Sequence, residues 1–170
     1  MYARPLSSFE NEKKTYLDFA GDDKVLTLTS YNKTTSARYA MFITKQGFVK
    51  KTELKEYNTN RSGGIKAIEF ATGDELVNVL LINEENLALS TKKGQLLIIE
   101  TDSINAIGRA TKGVRGIKLS LGDEVSSAHV ITSEKEIVVV SKEGLAKRLS
   151  VDELPVQGRY TKGVKAMPEG

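Results

Sequence analysis

Apolar residues fall in short runs, with charged or glycine-rich steps between them. AMFIT (residues 40–44), LVNVLLI (76–82), LALST (87–91), VSSAHVI (125–131) and IVVVS (137–141) are each five to seven residues long. Runs of this length, rich in β-branched residues and closed by Gly or charged turns, predict strands. A helix would instead repeat its apolar positions every three or four residues over a longer stretch. Further runs follow a glycine step: FVKKTEL (48–54), QLLIIET (95–101) and LAKRLSV (145–151). Those steps predict hairpin turns, where Gly supplies positive φ. Short helical turns are expected after these strands, around Glu53 to Tyr57 and Val151 to Leu154.

The runs are copies of one another. A Thr/Ser-Lys-x-Gly step occurs as TKQG (Thr44 to Gly47), TKKG (Thr91 to Gly94) and SKEG (Ser141 to Gly144). A second landmark follows each time: RSGGIKAI (Arg61 to Ile68), ATKGVRGI (Ala110 to Ile117) and YTKGVKAM (Tyr160 to Met167). The third is Gly-Asp-Glu, at Gly73 to Glu75 and Gly122 to Glu124, with a variant at Gly21-Asp22-Asp23. Three landmarks in constant order make coincidence an inadequate explanation. They divide the chain into approximate repeats 21–72, 73–121 and 122–170, with 1–20 belonging to a preceding unit.

About four strands in roughly 50 residues, repeated in tandem, is the arithmetic of a propeller-like blade array. The expected fold is therefore all-β: about three four-stranded blades in a single repeat domain. A lone blade cannot bury both faces, so neighbours must stack. Three blades do not close a ring of ordinary size, so a partial array is expected.

Composition narrows the chemistry. The 170 residues contain no Cys, which excludes disulfides, thiol nucleophiles and thiolate metal sites. No apolar run is long enough for a membrane helix, and MYARPLSSFENEKK has no apolar signal core. That start reads as mid-domain sequence. The formal net charge is +3, in itself a weak pointer to nucleic acid. Its distribution says more, since residues 1–37 hold as many acids as bases and the excess sits in the repeats.

One recurring loop concentrates that excess. Arg109, Lys112, Arg115 and Lys118 surround the second copy with no acid among them. The third copy holds Arg159, Lys162 and Lys165, and the first holds Arg61 and Lys66. Gly108, Gly113 and Gly116 argue against a helix there. A glycine-bearing loop entering a strand lets backbone and cations approach phosphates closely. A second basic set lies at the hairpin turns: Lys92 and Lys93 on the turn itself, and Lys50, Lys51, Lys147 and Arg148 just after it. No base-reading element is evident, so recognition through backbone and shape is expected.

In this order the motifs resemble a known family. TKQGFVKKTEL, SGGIKAIEFATGDELV, TKKG, IGRATKGVRGIKLSLGDEV and SKEGLAKRLSVDELPVQGRYTKGV are similar to the C-terminal domain of the bacterial DNA gyrase A subunit and its counterpart in topoisomerase IV. The resemblance covers nearly the whole chain and is strongest from Met41 to Met167. It implies a β-pinwheel, a disc of four-stranded blades that bends duplex DNA around its rim. It also implies that the cleavage machinery lies in another region, so this chain is not itself an enzyme. Implied partners are duplex DNA, the remainder of the A subunit, and the topoisomerase B subunit; the implied location is cytoplasmic, with the nucleoid. No cofactor, metal, membrane or small-molecule substrate is expected. The gyrase box Gln-Arg-Arg-Gly-Gly-(Lys/Arg)-Gly is matched only partly. QGRYTKG keeps Gln157, Arg159, Lys162 and Gly163, while IGRATKG keeps Arg109, Lys112 and Gly113. Gyrase and topoisomerase IV both remain open as the parent.

Other readings carry less. A propeller that binds only protein is the alternative, because fold does not fix function. Exposed Lys and Arg in turns also serve solubility and protect strand edges. His129, the sole histidine, reads as a strand residue rather than a catalytic base. The Gly-Asp-Glu acids read as solvated turn residues rather than metal ligands. Thr-Lys-x-Gly is not a P-loop, which needs GxxxxGK[ST] opening a helix. Tyr160 is a candidate for either DNA contact or packing.

Overall fold

The computed structural model describes residues 24–31, 36–61, 63–133 and 135–167. The assignment of residues 1–20 to a preceding unit, and the Gly21-Asp22-Asp23 turn, lie outside the described residues.

Each Thr/Ser-Lys-x-Gly step closes an antiparallel hairpin. The first joins β1 (Tyr39–Thr44) to β2 (Phe48–Glu53). The second joins β4 (Asn86–Thr91) to β5 (Gln95–Glu100). The third joins β8 (Glu136–Val140) to β9 (Ala146–Ser150). Gly47, Gly94 and Gly144 have φ of 81°, 78° and 84°, the left-handed region that disfavours any side chain. Single 3-10 turns follow the second strands at Leu54–Tyr57, Thr101–Ser103 and Val151–Glu153. Two of these are the turns expected from sequence.

The sheets are not contiguous stretches of chain. β3 (Leu76–Ile82) follows the first Gly-Asp-Glu turn and pairs back onto β1. β7 (Val125–Ile131) follows the second and pairs back onto β4. The two-residue strand β6 (Val114–Arg115) comes from the next repeat's second landmark and pairs with β2. Likewise β11 (Val164–Lys165) pairs with β5, and β10 (Val156–Gln157) joins β5 in parallel. The first sheet thus reads β3-β1-β2-β6. The second has five strands, β10-β5-β4-β7 with β11 also on β5. Among the described residues the third is the β8–β9 hairpin alone, where a four-stranded blade was expected.

Glycine makes this strand exchange possible. A Cβ on Gly113 would lie 2.3 Å from the Val49 carbonyl oxygen, and one on Gly163 would lie 2.3 Å from that of Leu96. Both are overlaps, so only glycine lets the incoming loop settle on the neighbouring hairpin.

Strand alternation then builds the core. Met41, Ile43 and Val49 of the first sheet meet Leu87, Leu89 and Ile99 of the second in one buried cluster. The intervening β1 residues Ala40 and Phe42 face the other way, onto Tyr57, Ile65 and Ile68. Ala88, Leu96 and Ile98 leave the far face of the second sheet and meet Ile137, Val139 and Leu149 of the third hairpin. Each Leu or Ile among them that is fully buried contributes roughly 1.5–3 kcal/mol, and none does so without the neighbouring sheet.

Candidate nucleic-acid interface

The second and third basic loops take their shape from a short-range bond common to both. Thr111 Oγ1 donates to the Gly108 carbonyl at 3.0 Å, and Thr161 Oγ1 donates to the Gly158 carbonyl at 3.1 Å. Each threonine closes its loop, with Lys112, Arg159 and Lys162 exposed beside it. Gly113 and Gly163 then turn the backbone at φ of 85° and 74° into β6 and β11. Gly64 holds the same position in the first copy, with φ of 69°.

The three loops lie side by side and are hydrogen-bonded in sequence. Glu69 N–H donates to the Thr111 carbonyl at 3.0 Å, joining the first loop to the second. Lys118 N–H donates to the Thr161 carbonyl at 2.9 Å, and Tyr160 N–H donates to the Gly116 carbonyl at 2.6 Å. Both joins use the same two repeat positions, Glu69 and Lys118 donating and Thr111 and Thr161 accepting. The result is one continuous row of loops along an edge of the array.

The row gathers most of the basic residues singled out from sequence. Lys112, Arg115, Lys118, Arg159, Lys162 and Lys165 are exposed along it, and Arg109 is half-buried. Arg61 and Lys66 are exposed at its first-copy end. Lys66 forms an ion pair with Glu69. That contact, with Lys112 nearby, holds the Glu69 carboxyl below its ordinary range. Lys118 takes the place of Glu69 in the second copy, so the row is more positive there than at its first-copy end. The Arg115 guanidinium lies 4.5 Å from the centre of the Phe48 ring, which holds it over the first hairpin without neutralising it.

Lys50 and Lys51 are a correction. Their place after the hairpin turn suggests surface cations, but they are 0% and 6% exposed. Lys50 Nζ donates to the Ala67 carbonyl at 2.7 Å, and Lys51 Nζ donates to the Thr101 carbonyl at 3.1 Å. The incoming strand β6 and the Lys51–Ala106 bridge cover β2, so these ammonium groups cannot reach a phosphate. Burial, aided by repulsion from Arg109, pushes Lys50 down to about 8. Lys147 and Arg148 hold the corresponding positions on β9, where no strand lies across them among the described residues, and are exposed. Arg148 pairs with Glu136 at 3.2 Å.

Lys92 and Lys93 lie in a different row. There the first and second hairpin turns each meet the Gly-Asp-Glu turn of their own sheet. Lys92 Nζ contacts Glu124 at 2.6 Å, and Lys93 Nζ donates to the Leu121 carbonyl at 2.7 Å. The same pair recurs as Lys45 and Glu75 at 2.6 Å. This row is charge-balanced. Its aspartates also differ from the solvated residues expected. Asp74 is buried, and its Oδ1 accepts from the N–H groups of Gln46 and Glu75, both at 2.9 Å. Asp123 Oδ1 does the same for Lys93 and Glu124, at 3.0 and 2.9 Å. These acids clamp one turn to another.

The backbone at Tyr160, a residue singled out from sequence for either DNA contact or packing, was not foreseen. Tyr160 is exposed and is the non-glycine residue with positive φ, 64°, among the described residues. Its N–H bond to the Gly116 carbonyl holds this backbone and leaves the ring exposed in the loop that carries Arg159 and Lys162.

Sheets completed by strands from the next repeat, with a recurring basic loop along one edge, define a β-propeller type of repeat module. Known proteins agree. The model of the DNA gyrase C-terminal domain, a beta-propeller, matches three times, at residues 38–83, 85–132 and 135–168. The chain belongs to this family. It is 39% identical over 158 residues to the DNA gyrase A subunit of Streptomyces coelicolor, covering 88% of this chain and 18% of that one. It is 35% identical over 151 residues to the same protein of Mycolicibacterium smegmatis, covering 87% of this chain and again 18% of the relative. The chain therefore spans less than a fifth of those relatives. Among solved structures, the C-terminal domain of DNA topoisomerase IV superposes with a TM-score of 0.79 at 30% identity, over 88% of this chain and 47% of that one. A DNA gyrase A C-terminal domain superposes with a TM-score of 0.76 at 20% identity, covering 92% and 53%. The second likeness speaks for the fold alone.

Proposed function

We propose that this chain is a non-catalytic module of a type II topoisomerase, part of its A subunit, that binds and bends duplex DNA along its row of basic loops. The observation that carries the reading is the stitching of the loops, each hydrogen-bonded to the next through the same two positions. A curved duplex needs cations at regular steps, and a row of equivalent loops supplies them. The contacts are to backbone phosphates, with Lys112, Arg115, Lys118, Arg159, Lys162 and Lys165 as the main donors and Arg109, Arg61 and Lys66 in support. Lys147 and Arg148 extend the surface; Lys92 and Lys93 contribute little because their own sheet neutralises them. Lys50 and Lys51 drop out of the set. Bending 20–30 bp costs on the order of 1–6 kcal/mol, and counterion release at several phosphates offsets it. The remaining regions of the A subunit, together with the B subunit, are the partners in the parent enzyme, which acts on the bacterial nucleoid in the cytoplasm.

The test is binding to linear duplexes of two lengths across a salt series. The variant has Arg109, Lys112, Arg115, Arg159, Lys162 and Lys165 all replaced by Gln. The wild type should show a steep salt slope, about 0.9 in log K per phosphate contacted, weak sequence preference and tighter binding to the longer duplex. End-to-end energy transfer on the labelled duplex should rise on binding. The variant should lose most of the slope. A wild type that ignores DNA at low salt, or a variant that binds as well, would refute the proposal.

A further inference from the structure

The third basic loop is seated differently from the second. Where the second packs on the first, the Ala67 carbonyl is capped by Lys50 Nζ at 2.7 Å. Gly116 is the repeat equivalent of Ala67, three residues after Gly113 as Ala67 is after Gly64. Leu97 is the equivalent of Lys50. Each directly follows the carbonyl that a loop glycine approaches, Val49 for Gly113 and Leu96 for Gly163. Leucine has no donor, which leaves the Gly116 oxygen to accept the Tyr160 N–H at 2.6 Å. Tyr160 takes φ of 64° in making that bond, whereas Ala110, its equivalent in the second loop, has no positive φ.

This backbone is costly. Every other described residue with positive φ is a glycine, because a Cβ crowds the chain in that region. Residues held this way gather at binding and switch sites, where the surrounding structure fixes them. The ring gains nothing inside the molecule to offset the cost. Among the described residues it joins none of the buried clusters, stacks on no other ring and has no cation over its face. It is 51% exposed. Exposure belongs to the position, since Arg61 and Ala110 are exposed there too, each with a following repeat in place.

The loop that presents the ring is braced. Thr161 Oγ1 bonds the Gly158 carbonyl at 3.1 Å and Gln157 Oε1 at 2.9 Å. The Thr161 carbonyl accepts from the Lys118 N–H at 2.9 Å. Ordering of the backbone is therefore complete before any partner arrives. Exposed Arg159 and Lys162 flank the ring in the chain, and residues 156–167 contain no acid.

We propose that Tyr160 is the apolar contact of the DNA interface. With Arg159 and Lys162 on phosphates, its ring enters the groove of the bound duplex and wedges against a base step. The inference rests on the DNA-binding reading above. Apolar side chains used this way partly unstack a step and favour a bend. The first and second loops carry Arg61 and Ala110 at this position, so the wedge falls at one place in the row.

Three variants separate the ring from the backbone. Tyr160→Phe keeps the ring. Tyr160→Asn removes it but tolerates positive φ. Tyr160→Gly removes it and relaxes the backbone. Each is titrated with a duplex of about 30 bp across a salt series. Tyr160→Phe should bind as the wild type does. The Asn and Gly variants should bind about fivefold to a hundredfold more weakly, the range for one lost aromatic contact to a base. Their salt slopes should match the wild type, because no phosphate contact is lost. Their thermal melts should be no lower, which separates loss of the ring from loss of the fold. The chain has six Tyr and no Trp, so its emission is that of tyrosine. Duplex should quench that emission in the wild type, and the Phe variant, though it binds, should lose part of the quenching. Asn and Gly variants that bind as tightly as the wild type overturn the inference and leave the basic row standing. So does weak binding by the Gly variant alone, which would mean backbone stiffness, or equal quenching in the Phe variant. A wild type that ignores duplex even at low salt overturns the DNA-binding reading and this inference together.

Discussion

Replacing Gly113 by alanine tests whether the second basic loop is seated on the first hairpin. Two costs follow from the structure. The first is conformational: at φ of 85° an alanine pays about 1–2 kcal/mol for the left-handed region. The second is a collision. The new Cβ would lie 2.3 Å from the Val49 carbonyl oxygen and 2.8 Å from the Lys50 Cβ, so β6 must lift from β2. That breaks the Val49–Val114 pairing and the Gly116 N–H bond to the Gly47 carbonyl at 2.8 Å. Two hydrogen bonds at about 0.5–1.5 kcal/mol each add about 1–3 kcal/mol, for a total of about 2–5 kcal/mol. Gly144→Ala is the control. Its φ is 84°, yet nothing lies within 4 Å of its Cβ, so it should cost only the first part. Urea unfolding of both variants measures the difference, and hydrogen exchange at the Gly116 amide reports the seat itself. Gly113→Ala should exceed Gly144→Ala by about 1–3 kcal/mol and should speed exchange at Gly116. Equal destabilisation within about 0.5 kcal/mol, the usual scatter of such comparisons, would mean that the loop does not rest on β2.

Asp74→Ala removes the acceptor of two backbone N–H groups at 2.9 Å and should cost about 1–3 kcal/mol in urea unfolding. Lys92→Gln, at a solvent-exposed pair with Glu124, should change stability by less than about 1 kcal/mol and leave the salt slope of DNA binding nearly unchanged. Lys50 sets a pH dependence. Its pKa is about 8 when folded, against an ordinary 10.5, so between those values the unfolded chain holds a proton that the folded chain lacks. Stability therefore rises with pH in that window and is lost as pH falls toward about 8. Unfolding at pH 8 and 9.5 should differ by about 1–2 kcal/mol, and Lys50→Met should flatten the difference. Tyr57, pushed up to about 12 by burial, acts oppositely above pH 10, which is why the comparison stops short of it.

The longer strands, the hairpin turns and the basic loops were legible in the sequence. Alternating β-branched runs mark strands, and glycines at constant spacing mark turns, because both are local demands of the backbone. AMFIT and LALST became β1 and β4, and the glycines of TKQG and TKKG took the positive φ that their turns needed. The excess of Arg and Lys around Gly113 and Gly163 was equally visible. Two features were hidden for the same reason. Lys50 and Lys51 look like Lys147 and Arg148 by position, and nothing local separates the pairs. The Gly-Asp-Glu acids look like surface acids, but Asp74 is buried as a clamp between turns.

Local preference within the sequence therefore determined which residues extend, where the chain turns, and that one loop recurs with positive charge. Only the tertiary structure decided which strand completes which sheet, and so which cations face water. Whether a lysine on the second hairpin strand is covered depends on a strand from the next repeat, some 65 residues away in sequence between Val49 and Val114. Such a contact is fixed by the packing of backbone on glycine and of one sheet on another, which no short window of sequence contains.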